Sequence, residues 1–324
     1  MQWRAHGTET VTGQLLVSDT RTPDRPDVNA SWTGQSMTSG GGQLQWNHNT
    51  THYDASATYK DFGDGFRADN GFVPQVGYRD VYAQTGWTFR PHGVLASLRP
   101  MVFTETQTER TGGALIERSI ATAVEMNTRW NGYMQFRYLD DRIRAGDQIF
   151  PRRQFVFYAN LSPSSLLAQV HVDGYVGTDV DFANARAGRG AEVNLEGVFN
   201  PTNHLAIDLL ENTQTLRVPD AFGVSQRVFM AHVSRVKGTY TFTARSFVRV
   251  IGQYVSTDRD PLLYVQPTTA RDGQFAGTAL FAYKINWQSV MFVGYGDDRD
   301  LTLQNRLVPT GHQVFVKLSY AIQR

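Results

Sequence analysis

The side chains best placed to do chemistry in this sequence form two sets of charges. Glu117, Glu125, His171, Asp173, Glu192, Glu196 and Asp208 lie in the first and middle parts of the chain, and Arg245, Arg249, Lys284 and Lys317 in its last third. Most stand in runs where polar and apolar residues alternate, which puts them on the polar face of a strand. If those polar faces line one interior, an acidic wall faces a basic wall across it. Such a field would guide small polar solutes. The competing reading is that the charges pair across a plugged interior and only satisfy one another.

Three smaller groupings suggest other chemistries. His171 and Asp173 share a strand face, as in the charged pairs of membrane-embedded hydrolases, but no serine nucleophile stands beside them. The segment from Asp61 to Asn70, with Asp64 and Asp69 among glycines, has the oxygen ligands calcium prefers; it lacks the spacing and closing glutamate of an EF-hand and reads better as a solvated turn. His48 and His52 flank one turn, too little for a metal site. With no cysteine in the chain, thiolate zinc and iron–sulfur sites are excluded, and no cofactor or resident metal is expected. No catalytic residue is assigned, so the chain is not expected to be an enzyme.

The elements that must hold these charges are strands. In Thr239–Val255, Tyr240, Phe242, Val248, Val250 and Tyr254 alternate with Thr241, Thr243, Arg245, Arg249 and Gln253. The same two-residue period runs through 274–286, 313–323, 116–126 and 134–138, and no window keeps helical spacing over three turns. Several runs reach about 10–14 residues, longer than the ~5–6 of an average globular strand and enough for a tilted bilayer crossing. Connections alternate. Long ones fall at 61–77, 108–113, 140–150, 180–189, 216–225, 256–273 and 298–311; short ones near Arg90-Gly93, Thr128-Trp130, Ser162-Ser165, Pro201-Asn203, Lys237-Gly238 and Asn286-Trp287. Trp87, Phe89, Trp130, Tyr240, Trp287 and Tyr320 sit near strand ends, as aromatic girdles do.

These features predict an all-β fold: an antiparallel transmembrane β-barrel of about 16 strands spanning 1–324, with 1–27 least defined, in a bacterial outer membrane. An odd strand count and a start without a signal peptide suggest the C-terminal part of a longer protein. Net charge is +1, with 31 basic and 30 acidic side chains and no basic block, so nucleic acid is not an expected partner. The expected partners are outer-membrane lipid and small polar solutes or carbohydrate. The Leu262-Leu263-Tyr264-Val265 cluster in 256–273 is expected to fold over the barrel mouth or into the lumen, or else to pack on neighbouring loops.

Three segments carry a family resemblance: DFGDGFRADNGFVPQVGYRD at 61–80, RSFVRVIGQY at 245–254, and the run over 258–300 continued by VFVKLSYAIQR at 314–324. They resemble the C-terminal half of uncharacterised bacterial outer-membrane proteins that begin with a family-nine-like carbohydrate-binding module. The resemblance implies a signal peptide and sugar-binding module upstream and a barrel here, and it supplies no catalytic residues. The function that follows is a passive conduit for small polar solutes, or a membrane anchor for that module. The alternatives are a membrane-embedded hydrolase and a soluble β-rich binding protein.

Overall fold

The computed structural model describes residues 2–5, 7–30, 32–68, 73, 75–220, 222–302 and 304–321. Asp69 and Asn70 of the acidic turn, and Ile322 and Gln323 at the end of the last alternating run, lie outside them. Strands β1 (Gln2–Ala5), β2 (Glu9–Arg21), β3 (Ser36–Asn49), β4 (Tyr53–Phe62), β5 (Tyr78–Trp87) and β6 (Leu95–Glu109) come first. They are followed by β7 (Leu115–Thr128), β8 (Tyr133–Ala145), β9 (Gln148–Leu161), β10 (Leu167–Asp181), β11 (Arg186–Thr202) and β12 (Leu205–Pro219). The last are β13 (Ser225–Thr243), β14 (Ser246–Arg259), β15 (Arg271–Lys284), β16 (Ser289–Leu301) and β17 (Leu307–Tyr320). The 17 strands belong to one sheet in which strands consecutive in the chain pair antiparallel.

The chain divides into two compact units. One holds the chain up to His92 with Ser97–Glu125 and Arg137–Arg153; the other holds Gly93–Ala96, Met126–Phe136 and Gln154–Arg324. Among the described residues neither has a large apolar core. Two of the four largest fully buried side chains are Asp80 and Asp141. In the second unit the apolar packing gathers on Leu216, Val218 and Val228, with Phe229, Leu263 and Tyr264 against them.

The expected closed barrel is corrected here. β17 pairs with β16, and among the described residues its other edge carries no partner. β1 covers β2 only from Glu9 to Thr12, and among the described residues the rest of that edge carries no partner. Leu15, in the uncovered stretch, is 92% exposed, and Val314 of β17 is 74% exposed. A sheet with two free edges is not a barrel. In hydrocarbon every backbone N–H and C=O needs a partner, so an open edge is incompatible with a bilayer interior. The transmembrane and porin-like description, the lipid partner and the outer-membrane location fall with the closed barrel. No helix among the described residues is long and apolar enough to cross a membrane.

The loop asymmetry is also weaker than expected. Only 22–35, 63–77 and 260–270 are long, and the connections at 146–147 and 182–185 are tight turns. Gly146 takes a left-handed φ of 58° that suits the two-residue turn between β8 and β9. Lys237-Gly238 is no turn: both residues lie inside β13, and the chain reverses at Ala244-Arg245. The run Thr239–Val255 is therefore a hairpin. The 256–273 segment does not close a barrel mouth. It contains a single 3-10 turn at Pro261–Leu263, and its Leu263 and Tyr264 pack on the apolar cluster while Leu262 points outward.

Candidate functional site

In the first unit, successive strands line up a row of charges on one face. β4 contributes Lys60, β5 Asp80, β6 Glu105, β7 Glu117, β8 Asp141 and β9 Arg152. Lys60 stands directly opposite Asp80 in the β4–β5 register, and Tyr82, next on that face, stands opposite Glu105. Lys60 Nζ donates to Asp80 Oδ2 at 3.0 Å. At the far end Arg152 donates to both oxygens of Asp141, Nε at 2.9 Å and Nη2 at 2.6 Å from Oδ2 and Nε at 3.1 Å from Oδ1. The Asp141 side chain is fully buried, and Asp80 is 2% exposed.

Four carboxyl groups stand with Lys60 and Arg152, and the nearby Arg137 of β8 lies over the Phe103 ring at 5.5 Å with its Nε buried and unpartnered. The strain shows at the centre. Burial, and then the Asp80 and Glu117 carboxylates, raise the Glu105 pKa above the ordinary carboxylate value. Burial, and then Asp141, raise that of Glu117. Asp80 Oδ1 is buried with no hydrogen-bond partner. An orphaned buried acceptor costs about 1–3 kcal/mol. The hydrogen bond with Asp80 holds the Lys60 ammonium more firmly protonated.

In a second arrangement on this face one guanidinium serves two carboxylates. Arg99 Nε donates to Asp54 Oδ2 and Nη1 to Glu125 Oε2, each at 2.8 Å. Gly86 makes the room, since a Cβ there would sit 2.7 Å from Arg99 Nε. The Asp61 loop folds back rather than standing in solvent: Phe66 is buried with its ring 5.3 Å from that of Phe62. Asp61 accepts from Arg79 Nε at 3.1 Å and Arg110 Nε at 2.6 Å. Burial works against its charge, but those bonds outweigh it and lower its pKa.

The second unit holds the remaining predicted residues in a network built from amides and rings. His171 Nε2 lies 2.7 Å from Asp173 Oδ1, which also accepts from Asn194 Nδ2 at 3.0 Å. Tyr158 meets the His171 ring edge-on at 4.8 Å. Asn212 Nδ2 donates to Glu192 Oε1 at 3.1 Å, and Tyr175 OH donates to Asp179 Oδ2 at 2.7 Å. Burial pushes the Tyr175 phenol up to about 12. Glu196 stands opposite His171 in register. Asp208 is ion-paired with Lys237, and these two with Glu196 and Arg235 line a hollow of about 330 Å³.

The predicted basic wall is dispersed. Arg245 sits in the β13–β14 turn rather than on a strand face. Arg249 lies over the Phe247 ring at 6.0 Å, and Lys284 stands exposed at the end of β15. Lys317 is exposed opposite Phe292. Among the described residues none of these four makes an ion pair. Of the predicted acidic residues, Glu117 alone joins the row, and Glu125 is held by Arg99.

Sequence reading missed Lys60, Asp80, Glu105, Asp141 and Arg152. Asp141 fell inside a stretch assigned to a loop, and Lys60 and Asp80 bordered another. The usable signal was Tyr78-x-Asp80-x-Tyr82-x-Gln84, an alternation as regular as those that were read. On the opposite face of the second unit, Ser234 Oγ donates to Glu211, while Thr213 Oγ1 lies 3.0 Å from His232 Nδ1, which is 3.8 Å from Glu211 Oε1. A hydrolytic triad needs the serine on the imidazole; here it is on the carboxylate.

No protein-family model matches the chain, and no curated protein matches it. Among solved structures it is similar to OmpT, an outer membrane protein of Vibrio cholerae, at 11% identity and a TM-score of 0.38, covering 96% of this chain and 97% of that one. It is also similar to the outer membrane channel DcaP of Acinetobacter baumannii at 11% identity and a TM-score of 0.33, covering 98% and 99%. At these TM-scores neither likeness assigns a fold or a function.

Proposed function

We propose that this chain is a soluble β-rich binding protein without a catalytic role, and that it binds an organic polycation along the carboxylate row of β5–β8. The observation that carries the reading is the buried Asp80 Oδ1, an acceptor without a donor within the carboxylate row. An ammonium N–H supplies the missing donor. Adjacent strands lie about 4.8 Å apart, so carboxyl groups on successive strands suit cations spaced roughly 5–10 Å along a flexible ligand. Polyamines have that spacing. The hydrogen bonding around His171 and Glu211 activates no nucleophile, which favours binding over turnover.

Titration calorimetry with spermidine on the detergent-free protein at low salt tests this. Binding is expected, weakened about tenfold by Glu117→Gln and progressively by added salt. A folded wild-type protein that takes up no spermidine would sink the reading.

A further inference from the structure

Side chains alternate along β4, so Tyr59 and Asp61 turn away from the face that carries Lys60 and the carboxylate row. On their side the register lays two rungs across the strands of the first unit: Leu15, Gly42, Asp61 and Arg79, and Gly13, Leu44, Tyr59 and Val81. Val17 opposite Gly40 begins a third. Without side chains at 40 and 42, a trough runs along β3 between Leu15 and Val17 on one side and Tyr59 on the other, with Leu44 across one end. Its volume is about 850 Å³, within the range of about 300–1,000 Å³ typical of ligand pockets. Leu15 and Val17 hold large apolar side chains almost wholly in water. At position 42 a Cβ would come within 3.1 Å of Leu15 Cδ2, so that glycine keeps the wall in place. At position 40 the nearest neighbour of a Cβ, among the described residues, would be the Leu16 carbonyl oxygen at 3.7 Å. A side chain there would enter the trough without a clash.

The end of the trough at Asp61 is cationic. Asp61 accepts from Arg79 Nε at 3.1 Å, Arg110 Nε at 2.6 Å and Tyr59 OH at 3.3 Å. Two guanidinium groups on one carboxylate leave a positive charge unbalanced, and Arg110 itself lines the hollow. Among the described residues the side chain of Arg110 bonds through Nε alone, so its Nη groups keep their donors. The other charges on this face offer no second pole. Farther out on β2, Asp19 and Arg21 oppose one another in charge; at the far end Glu9 accepts from Trp46 Nε1 at 2.7 Å and pairs with His48. We infer that the trough binds a monomeric apolar carboxylate, its chain lying over Gly40 and Gly42 and its head on Arg110. Apolar walls supply affinity without direction, and the guanidinium, which matches a carboxylate with paired N–H donors, fixes which end of the ligand lies where. A peptide strand added to the open β2 edge would lie beside that strand in the plane of the sheet and leave the trough over β3 empty. The site is independent of the polycation reading, which concerns the other face.

The experiment is a calorimetric titration of the detergent-free protein with decanoate and with decanol, each kept below the concentration at which it aggregates. The wild type is expected to bind decanoate about tenfold more tightly than decanol. Arg110→Gln leaves Asp61 its bond to Arg79; it should lose the preference for decanoate and keep the affinity for decanol. Gly40→Leu, which fills the trough, should lose both ligands with its urea midpoint unchanged. Should that variant fail to fold, Leu15→Asp at an exposed wall position takes its place and should weaken both ligands. A folded wild type that takes up neither ligand overturns the site. Decanoate and decanol bound alike, with Arg110→Gln of no effect, overturn the role of the cation. Decanoate binding indifferent to Gly40→Leu and Leu15→Asp places it elsewhere and overturns the trough. Amide exchange over 13–21 that slows as protein concentration rises, in a protein that ignores decanoate, would assign this surface to a second copy of the chain instead.

Discussion

The carboxylate row of the first unit and the His171–Asp173 network of the second are built on the same scaffold from opposite materials. Both span adjacent antiparallel strands and both use acids. In the second unit each acid meets a neutral or aromatic neighbour: Asn194 on Asp173, Asn212 on Glu192, Tyr158 against His171. Amide donors satisfy acceptors without adding charge, and the orphan here is a neutral amide oxygen, Asn160 Oδ1, opposite His171 in register. The row instead meets acids with acids, and its orphaned acceptor is a carboxylate oxygen. An orphaned carboxylate oxygen is an opening for a cationic donor, whereas an orphaned amide oxygen calls only for a neutral one.

Three measurements would break or sharpen this contrast. The largest effect is expected from Asp141→Ala, which strands Arg152 beside a fully buried position. Loss of one partner of such a pair should cost about 3 kcal/mol, read as a drop in the urea midpoint. Asp173→Ala, in the amide-rich network, should cost roughly half as much because no guanidinium is left without its carboxylate; an equal loss would erase the distinction.

The second measurement concerns pH. Glu105 and Glu117 have folded pKa values raised above the ordinary glutamate value, by burial first and neighbouring carboxylates next. The folded state therefore binds more protons than the unfolded chain just above that value. The stability they contribute is complete below it and is lost as pH rises through the raised values. Glu105→Gln removes one of the two groups, so its urea midpoint should fall less than the wild type's between acidic and neutral pH. Parallel curves would refute this. The smallest effect is expected from Asn194→Ala, about 1 kcal/mol with no change in pH dependence, since only a neutral donor is lost.

The alternation of residue types made the strands legible, and it hid the turns. Tyr240 pairs with Val248 and Thr239 with Arg249, so the polar and apolar faces keep their parity through the two-residue reversal at Ala244-Arg245. A period of two passes through such a hairpin unbroken, and Thr239–Val255 reads as one strand. The same parity allowed residues to be placed on faces correctly even where boundaries were misjudged. Closure was not legible, because it depends on whether the free edges of the first and last long strands pair, and backbone pairing leaves no trace in side-chain alternation. Nor was the row. Its members are 20 or more positions apart where β4, β5 and β6 meet, and only the register brings Lys60 to Asp80 and Tyr82 to Glu105.

The free edge of β17 has a consequence for time rather than structure. In an antiparallel strand alternate amides point to opposite neighbours, so about half of those in β17 turn to β16 and the rest to water. The strand therefore keeps two clocks. Its inward amides are sheltered until the strand peels away from β16, and its outward ones exchange with solvent without that opening. The same row of outward groups, guarded by little more than Pro309 and Lys317, is a template on which another extended chain can crystallise. The working life of the protein in concentrated solution is then governed by how often a stranger finds this edge, more than by how rarely the rest of the sheet unfolds.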